Sequence, residues 1–231
     1  MFHNQYNHSM MSSTRSFMYK VYGWMGVGLA ATAAVAYSIA SSPSAMKFIL
    51  TNPVILIVVA FSQLGLVLFL NFKLKDMTYA ETAMAFFGYS LLVGVTTSTI
   101  FAVYTMSSIA LCFGITAGMF IAMALYGYLT HADLSSLGSF LIMGLWGLIL
   151  ALFVNMWFQS SVFDFYLSLI GVGLFTLLTA YDVQKIKRIA ESMMVDVDTR
   201  SKVAVVGALT LYLDFINLFF MLLRLLGDRK K

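Results

Sequence analysis

The chain has 231 residues, of which 61% are hydrophobic and only 10% charged, with a net charge of +4 and a mean hydropathy of +0.88. A soluble domain is about a quarter charged, so this composition excludes a soluble globular fold and describes one membrane domain. The positive balance lies outside the apolar runs, which makes it a matter of topology rather than of nucleic-acid binding.

Residues 1–20 form a polar tail that carries Arg15 and Lys20. His3 and His8 lie there without a third ligand for a metal. The first apolar run, Val21–Ala40, ends in Ser38-Ile39-Ala40, which could pass for a signal-peptide cleavage site. Its length exceeds the usual signal core of about 7–15 residues and matches a spanning helix. Seven segments reach that scale, at approximately 21–40, 54–71, 80–103, 108–129, 137–157, 163–184 and 203–226. The connections between them are short, except Lys185–Lys202, so consecutive helices should pack antiparallel. The expected architecture is an all-α, polytopic membrane protein: a cytoplasmic tail at 1–20, a seven-helix domain at 21–227 and a short basic tail at 228–231. No internal repeat marks an inverted-repeat transporter. The lone Cys112 permits neither a disulfide nor a thiolate metal site within the chain.

Basic residues set the expected orientation. With the N-terminus in the cytoplasm, that side carries Arg15, Lys20, Lys73, Lys75, Lys185, Lys187, Arg188, Arg200 and Lys202, while the other carries Lys47. Arg224, Arg229, Lys230 and Lys231 dissent. Val203–Leu226 is still long enough, at roughly 36 Å, for the last helix to cross fully. Small residues recur every fourth position at Gly26, Ala30, Ala34 and Ser38, and again at Gly114, Gly118 and Ala122. That spacing predicts close helix–helix approach. Gln63 and Asn155 read as polar glue between helices, and Glu81 as a first-turn acid facing the helix dipole. Asp196-Val-Asp198 lacks the glycine and the spaced ligands of a calcium loop.

Two carboxylates stand apart, because each costs about 2.5–3.5 kcal/mol at the bilayer centre. Asp214 shares a helical stripe with Gly207, Thr210, Asn217 and Met221, so it points to the bundle interior and has Asn217 one turn away. Asp182 shares a stripe with Phe175, Thr179 and Lys185. By position along the segments Asp214 lies roughly 16 Å from the nearer boundary, whereas Asp182 lies within a turn of it. Periodicity therefore leaves the two unpaired. Asp214 as a packing pin and Asp182 as a solvated edge residue are the plain alternatives.

Leu211-Tyr-Leu-Asp214-Phe-Ile-Asn217-Leu-Phe, followed by Leu-Leu-Arg224-Leu-Leu-Gly227, resembles the last helix of the Bax inhibitor-1 family. Thr179-Ala-Tyr-Asp182-Val-Gln184-Lys-Ile-Lys-Arg188 is similar to the family's sixth helix. Gly94-Val-Thr-Thr-Ser-Thr-Ile-Phe101, Tyr126-Gly-Tyr-Leu-Thr130, Asp133-Leu-Ser135 and Leu152-Phe-Val-Asn155 fit its bacterial branch. The resemblance covers nearly all of residues 15–228. It implies a seven-helix bundle with the last helix wrapped by the other six, in a bacterial inner membrane. Members are associated with a pH-sensitive calcium leak and, in eukaryotes, with suppression of cell death. The family's aspartate pair carries over to Asp182 and Asp214. Some members latch that pair with an arginine at the end of helix two, where this chain has only Lys73 and Lys75. Lysine lacks the bidentate fork of arginine.

The expected function is thus a pH-sensitive calcium leak. Asp182 and Asp214 are its sensor and its transient calcium ligands, with Thr179, Asn217, Lys73 and Lys75 in support. No resident cofactor is expected. The expected partners are the bilayer, the calcium ion and other membrane proteins. A non-conducting regulator and an intramembrane aspartyl protease are the alternatives; the Gly-x-Gly-Asp pattern of such proteases is absent, since Leu211-Tyr-Leu precedes Asp214.

Overall fold

The computed structural model describes residues 2–192 and 197–230, with side chains from residue 13 onward. His3, His8, Asp196 and Lys231 therefore lie outside what is described of side chains. The described residues form nine helices and no strand. These are α1 (Phe2–Ala40), α2 (Pro43–Thr51), α3 (Pro53–Lys73), α4 (Tyr79–Ser98), α5 (Ile100–Val103), α6 (Met106–Leu129), α7 (Ser135–Phe158), α8 (Ser161–Ser192) and α9 (Val197–Leu226). Seven stretches are long and apolar enough to cross a membrane, with α4 and α5 forming one of them. The fold is all-α and polytopic.

Three boundaries differ from those expected. α1 begins at Phe2 rather than at Val21. Around Pro43 a short helix replaces the loop, because Ser42 caps it by accepting from the Ala45 N–H and Pro43 supplies the fixed first-turn geometry. α8 and α9 consume most of Lys185–Lys202. Charge in that stretch suggests a loop, yet Ile186 and Ala190 are buried one turn apart and keep it helical.

The chain divides into two compact units, residues 1–103 with 189–212, and 104–188 with 213–231. In the first unit α1 lies against α4 at two glycines. A Cβ on Gly28 would stand 2.5 Å from the Phe86 ring, and one on Gly94 would stand 2.9 Å from the Thr32 carbonyl oxygen. The Thr32 hydroxyl donates to the Ser90 carbonyl at 2.9 Å and shares a 2.6 Å hydrogen bond with the fully buried Tyr212 hydroxyl. Phe86 and Tyr89 meet the Tyr212 ring edge-on. Gln63 donates to Thr96 at 3.2 Å and ties α3 to α4, the role expected of it. Glu81 and Thr78 close a reciprocal cap at the start of α4.

In the second unit Leu141, Leu148, Leu174, Leu178, Leu218 and Leu222 form the core between α7, α8 and α9. Phe113 and Phe120 of α6 meet Phe215 edge-on. Close helix approach is again made by glycines, Gly127 against Ala180 and Gly171 against Met221. The two small-residue stripes expected to do this do not: Gly26, Gly114 and Gly118 have nothing within 4 Å of a built Cβ, and their stripes are exposed. Asn155 also departs from expectation. Its side chain accepts from the Ser160 N–H at 3.2 Å, beside Gln159 at φ 48°, and so shapes the α7–α8 turn.

Candidate functional site

Asp182 sits on α8 ten residues before its end at Ser192, so it is not the edge residue that a segment of 163–184 implied. Asp214 sits on the second half of α9. Both belong to the second unit, and their side chains lie within hydrogen-bonding range of each other. Exposure is 9% for Asp182 and 5% for Asp214, which removes the solvated reading of Asp182. Oδ2 of Asp214 is buried with no hydrogen-bond donor. Ionised carboxylates only accept, so contact between the two becomes a hydrogen bond when a proton lies between them. Lys185, one turn beyond Asp182, is exposed and supplies a positive charge that acts on it.

The supporting residues divide. The Thr179 hydroxyl is fully buried and donates to the Phe175 carbonyl at 2.8 Å, within its own helix. Asn217 is half-buried one turn from Asp214. Lys73 and Lys75 belong to the first unit and are exposed, and Lys73 lies 3.6 Å from Asp76. Among the described residues no group of three or more His, Cys, Asp or Glu side chains is placed to hold a metal. Asp198 pairs with Lys202 at 3.8 Å.

Residues just beyond Asp182 do work that the sequence did not reveal. Gln184 is 6% exposed; it accepts from the Leu134 N–H at 2.9 Å and donates to the Ala132 carbonyl at 2.8 Å. Lys187 donates to the Tyr128 carbonyl at 2.9 Å and stands 4.9 Å from the Tyr128 ring centre. Arg188 lies 2.7 Å from Asp133 and also donates to Ser135. Of the Lys185/Lys187/Arg188 cluster, read as a topology signal, Lys187 and Arg188 thus clamp the α6–α7 loop, while Lys185 stands over the Tyr181 ring of its own helix. The Ser135 N–H and Arg188 hold the exposed Asp133 carboxyl down at about 2. Gln184 also supplies the acceptor that Leu134, at the uncapped start of α7, otherwise lacks.

At the other end of the unit the C-terminal residues close onto the loop that begins α6. The Thr105 N–H donates to the Asp228 carbonyl at 3.1 Å, the Asp228 N–H to the Ser108 hydroxyl at 3.0 Å, and Tyr104 bridges to Arg229. α9 spans thirty residues before that closure, enough for a full crossing.

A family model described as "Inhibitor of apoptosis-promoting Bax1" matches residues 14–231. The chain is 48% identical over 221 residues to the inner membrane protein YbhL of Escherichia coli, covering 94% of this chain and 93% of that one. It is 45% identical to an uncharacterized protein of Borreliella burgdorferi, over 93% of this chain and 92% of that one. An uncharacterized protein of Rickettsia prowazekii is 38% identical, over 97% of this chain and 94% of its own length. With a family match across almost the whole chain and such coverage on both sides, this seven-span protein belongs to the Bax inhibitor-1 family.

Proposed function

We propose that this protein is a pH-gated cation leak in which Asp182 and Asp214 form the proton switch and calcium is the passing ion. One observation supports the reading: two carboxyls more than nine-tenths buried lie within hydrogen-bonding range, and an oxygen of Asp214 has no donor. Two ionised carboxylates so placed repel strongly in a low dielectric. A proton between them replaces repulsion with a hydrogen bond, joins α8 to α9 and closes the path. Its loss leaves two negative charges that part, or that attract a hard cation through oxygen. Calcium takes about six to eight oxygens, more than two carboxylates offer, so water completes the shell and the ion passes rather than stays. Asn217, one turn from Asp214, is the amide nearest in sequence to the freed carboxylate. The basic bias of the loops sets the N-terminus in the cytoplasm, and the relative's name supports an inner-membrane location.

The test uses the full chain in liposomes with a calcium indicator inside. Calcium flux should change across near-neutral pH, and Asp182→Asn and Asp214→Asn should each flatten that dependence. Folded variants that keep the wild-type pH profile would sink the proposal. So would a folded wild type that passes no calcium at any pH, an outcome that favours a non-conducting regulator.

A further inference from the structure

Where α7 ends, α8 begins and α9 ends, the second unit opens a groove of about 510 Å³. Its lining changes character along its length. Ile149, Phe153 and Met156 of α7 supply an apolar wall, and they are 45%, 57% and 68% exposed. At the helix ends the lining becomes Asp164, Arg224 and Arg229. Trp157 and Phe158, each 75% exposed, close α7 at this same end, a position aromatic residues favour at a membrane–water boundary. Hydrocarbon contacts below and charges above follow the order of a phospholipid.

The backbone positions that carry these charges are fixed. Asp164 lies in the first turn of α8 and Arg224 in the last turn of α9. The backbone of Arg229 is fixed by its bridge to Tyr104, next to the Asp228 contacts with Thr105 and Ser108, and its side chain is exposed. Arg224 Nη1 and Asp164 Oδ1 are 3.6 Å apart, with side chains 41% and 27% exposed. That is an ion pair too long for a good hydrogen bond, so guanidinium donors and carboxylate acceptor positions stay open.

We infer that this groove binds a glycerophospholipid with a primary-amine headgroup. Its phosphate lies between Arg224 and Arg229, its ammonium meets Asp164, and an acyl chain follows Ile149, Phe153 and Met156. Asp164 decides the headgroup. An anionic glycerol headgroup offers the carboxylate only neutral hydroxyl donors and no opposite charge, and a quaternary ammonium has no N–H to donate. A primary ammonium offers three donors, as lysine does. The guanidinium groups suit the phosphate through paired, charge-assisted hydrogen bonds.

The full-length protein in mild detergent, titrated with lipids of identical acyl chains and read by native mass spectrometry, tests this. Phosphatidylethanolamine should be retained about tenfold more than phosphatidylcholine or phosphatidylglycerol, the effect of one charge-assisted hydrogen bond. Asp164→Asn should bring phosphatidylethanolamine down to the level of phosphatidylcholine. Arg229→Ala, in the exposed tail, should weaken all three while thermal unfolding shows the fold intact. Equal retention of the three lipids, a preference for phosphatidylglycerol, or an unchanged preference in Asp164→Asn would overturn the inference.

Discussion

Gly127→Ala tests the packing that positions Asp182. A Cβ built on Gly127 stands 2.2 Å from the Ala180 carbonyl oxygen and 2.9 Å from its Cα. Real Cβ contacts do not fall below 3.0 Å, so α6 and α8 must separate by about 0.8 Å. Both partners are backbone, and no side-chain rotation relieves the clash. Overpacking costs about 1–3 kcal/mol, with rigid contacts at the upper end. The better helix propensity of alanine returns about 1 kcal/mol, which leaves a net loss of about 2 kcal/mol. For a chain of this size that lowers the unfolding midpoint by about 4–8 °C. Gly118→Ala on the same helix is the control, because a Cβ there meets nothing within 4 Å. Thermal unfolding in one detergent, followed by circular dichroism, compares the two. A Gly127→Ala midpoint equal to or above that of Gly118→Ala would refute the reasoning.

Two further outcomes concern the α6–α7 loop. Gln184→Leu removes the acceptor for the Leu134 N–H and the donor to the Ala132 carbonyl, a loss of about 1–3 kcal/mol for buried groups left unpaired. Hydrogen exchange at residues 130–135 should speed up, and unchanged exchange would place the hold on the loop elsewhere. The Asp133 contacts should show their own pH dependence. Its carboxyl falls to about 2 in the folded chain, below the ordinary value of about 3.9. Their contribution is therefore complete above about pH 4 and disappears as pH falls toward 2. Loop protection should be flat through neutral and mildly acidic pH and weaken only below about pH 4. Weakening near neutrality would point to a different group.

The seven spans were legible because each is a long apolar run, and neither propensity nor distant contacts were needed to find them. Asp214 was legible for the same reason, as a charge in the middle of such a run. Asp182 was not, because the polar residues after it suggested a helix end, while Ile186 and Ala190 carry the helix on to Ser192. The pairing of the two aspartates came from family resemblance, since spacing within one helix says nothing about depth relative to another. The stripes at Gly26 and Gly114 misled because small residues at every fourth position mark a surface that permits close approach, not one that makes it. The glycines in contact, such as Gly28 and Gly127, lie off those stripes and carry no distinguishing period. Gln184 gave no signal because its partners are backbone groups of a loop fifty residues away.

The position of these contacts around α8 bears on how a carboxyl pair there would act. At about 100° per residue, Ala180, Gln184, Lys187 and Arg188 all fall roughly 140–240° from Asp182. The face opposite the carboxylate is therefore the one pressed on the Gly127 backbone and tied to the 128–135 loop. Toward α9 the same helix meets side chains, as where Gly171 lies against Met221. α8 thus has a hard back and a softer front. In the proposed gate, repulsion between two ionised carboxylates would find no give behind Asp182. It would be expressed at the packing between α8 and α9, which is where a path has to open.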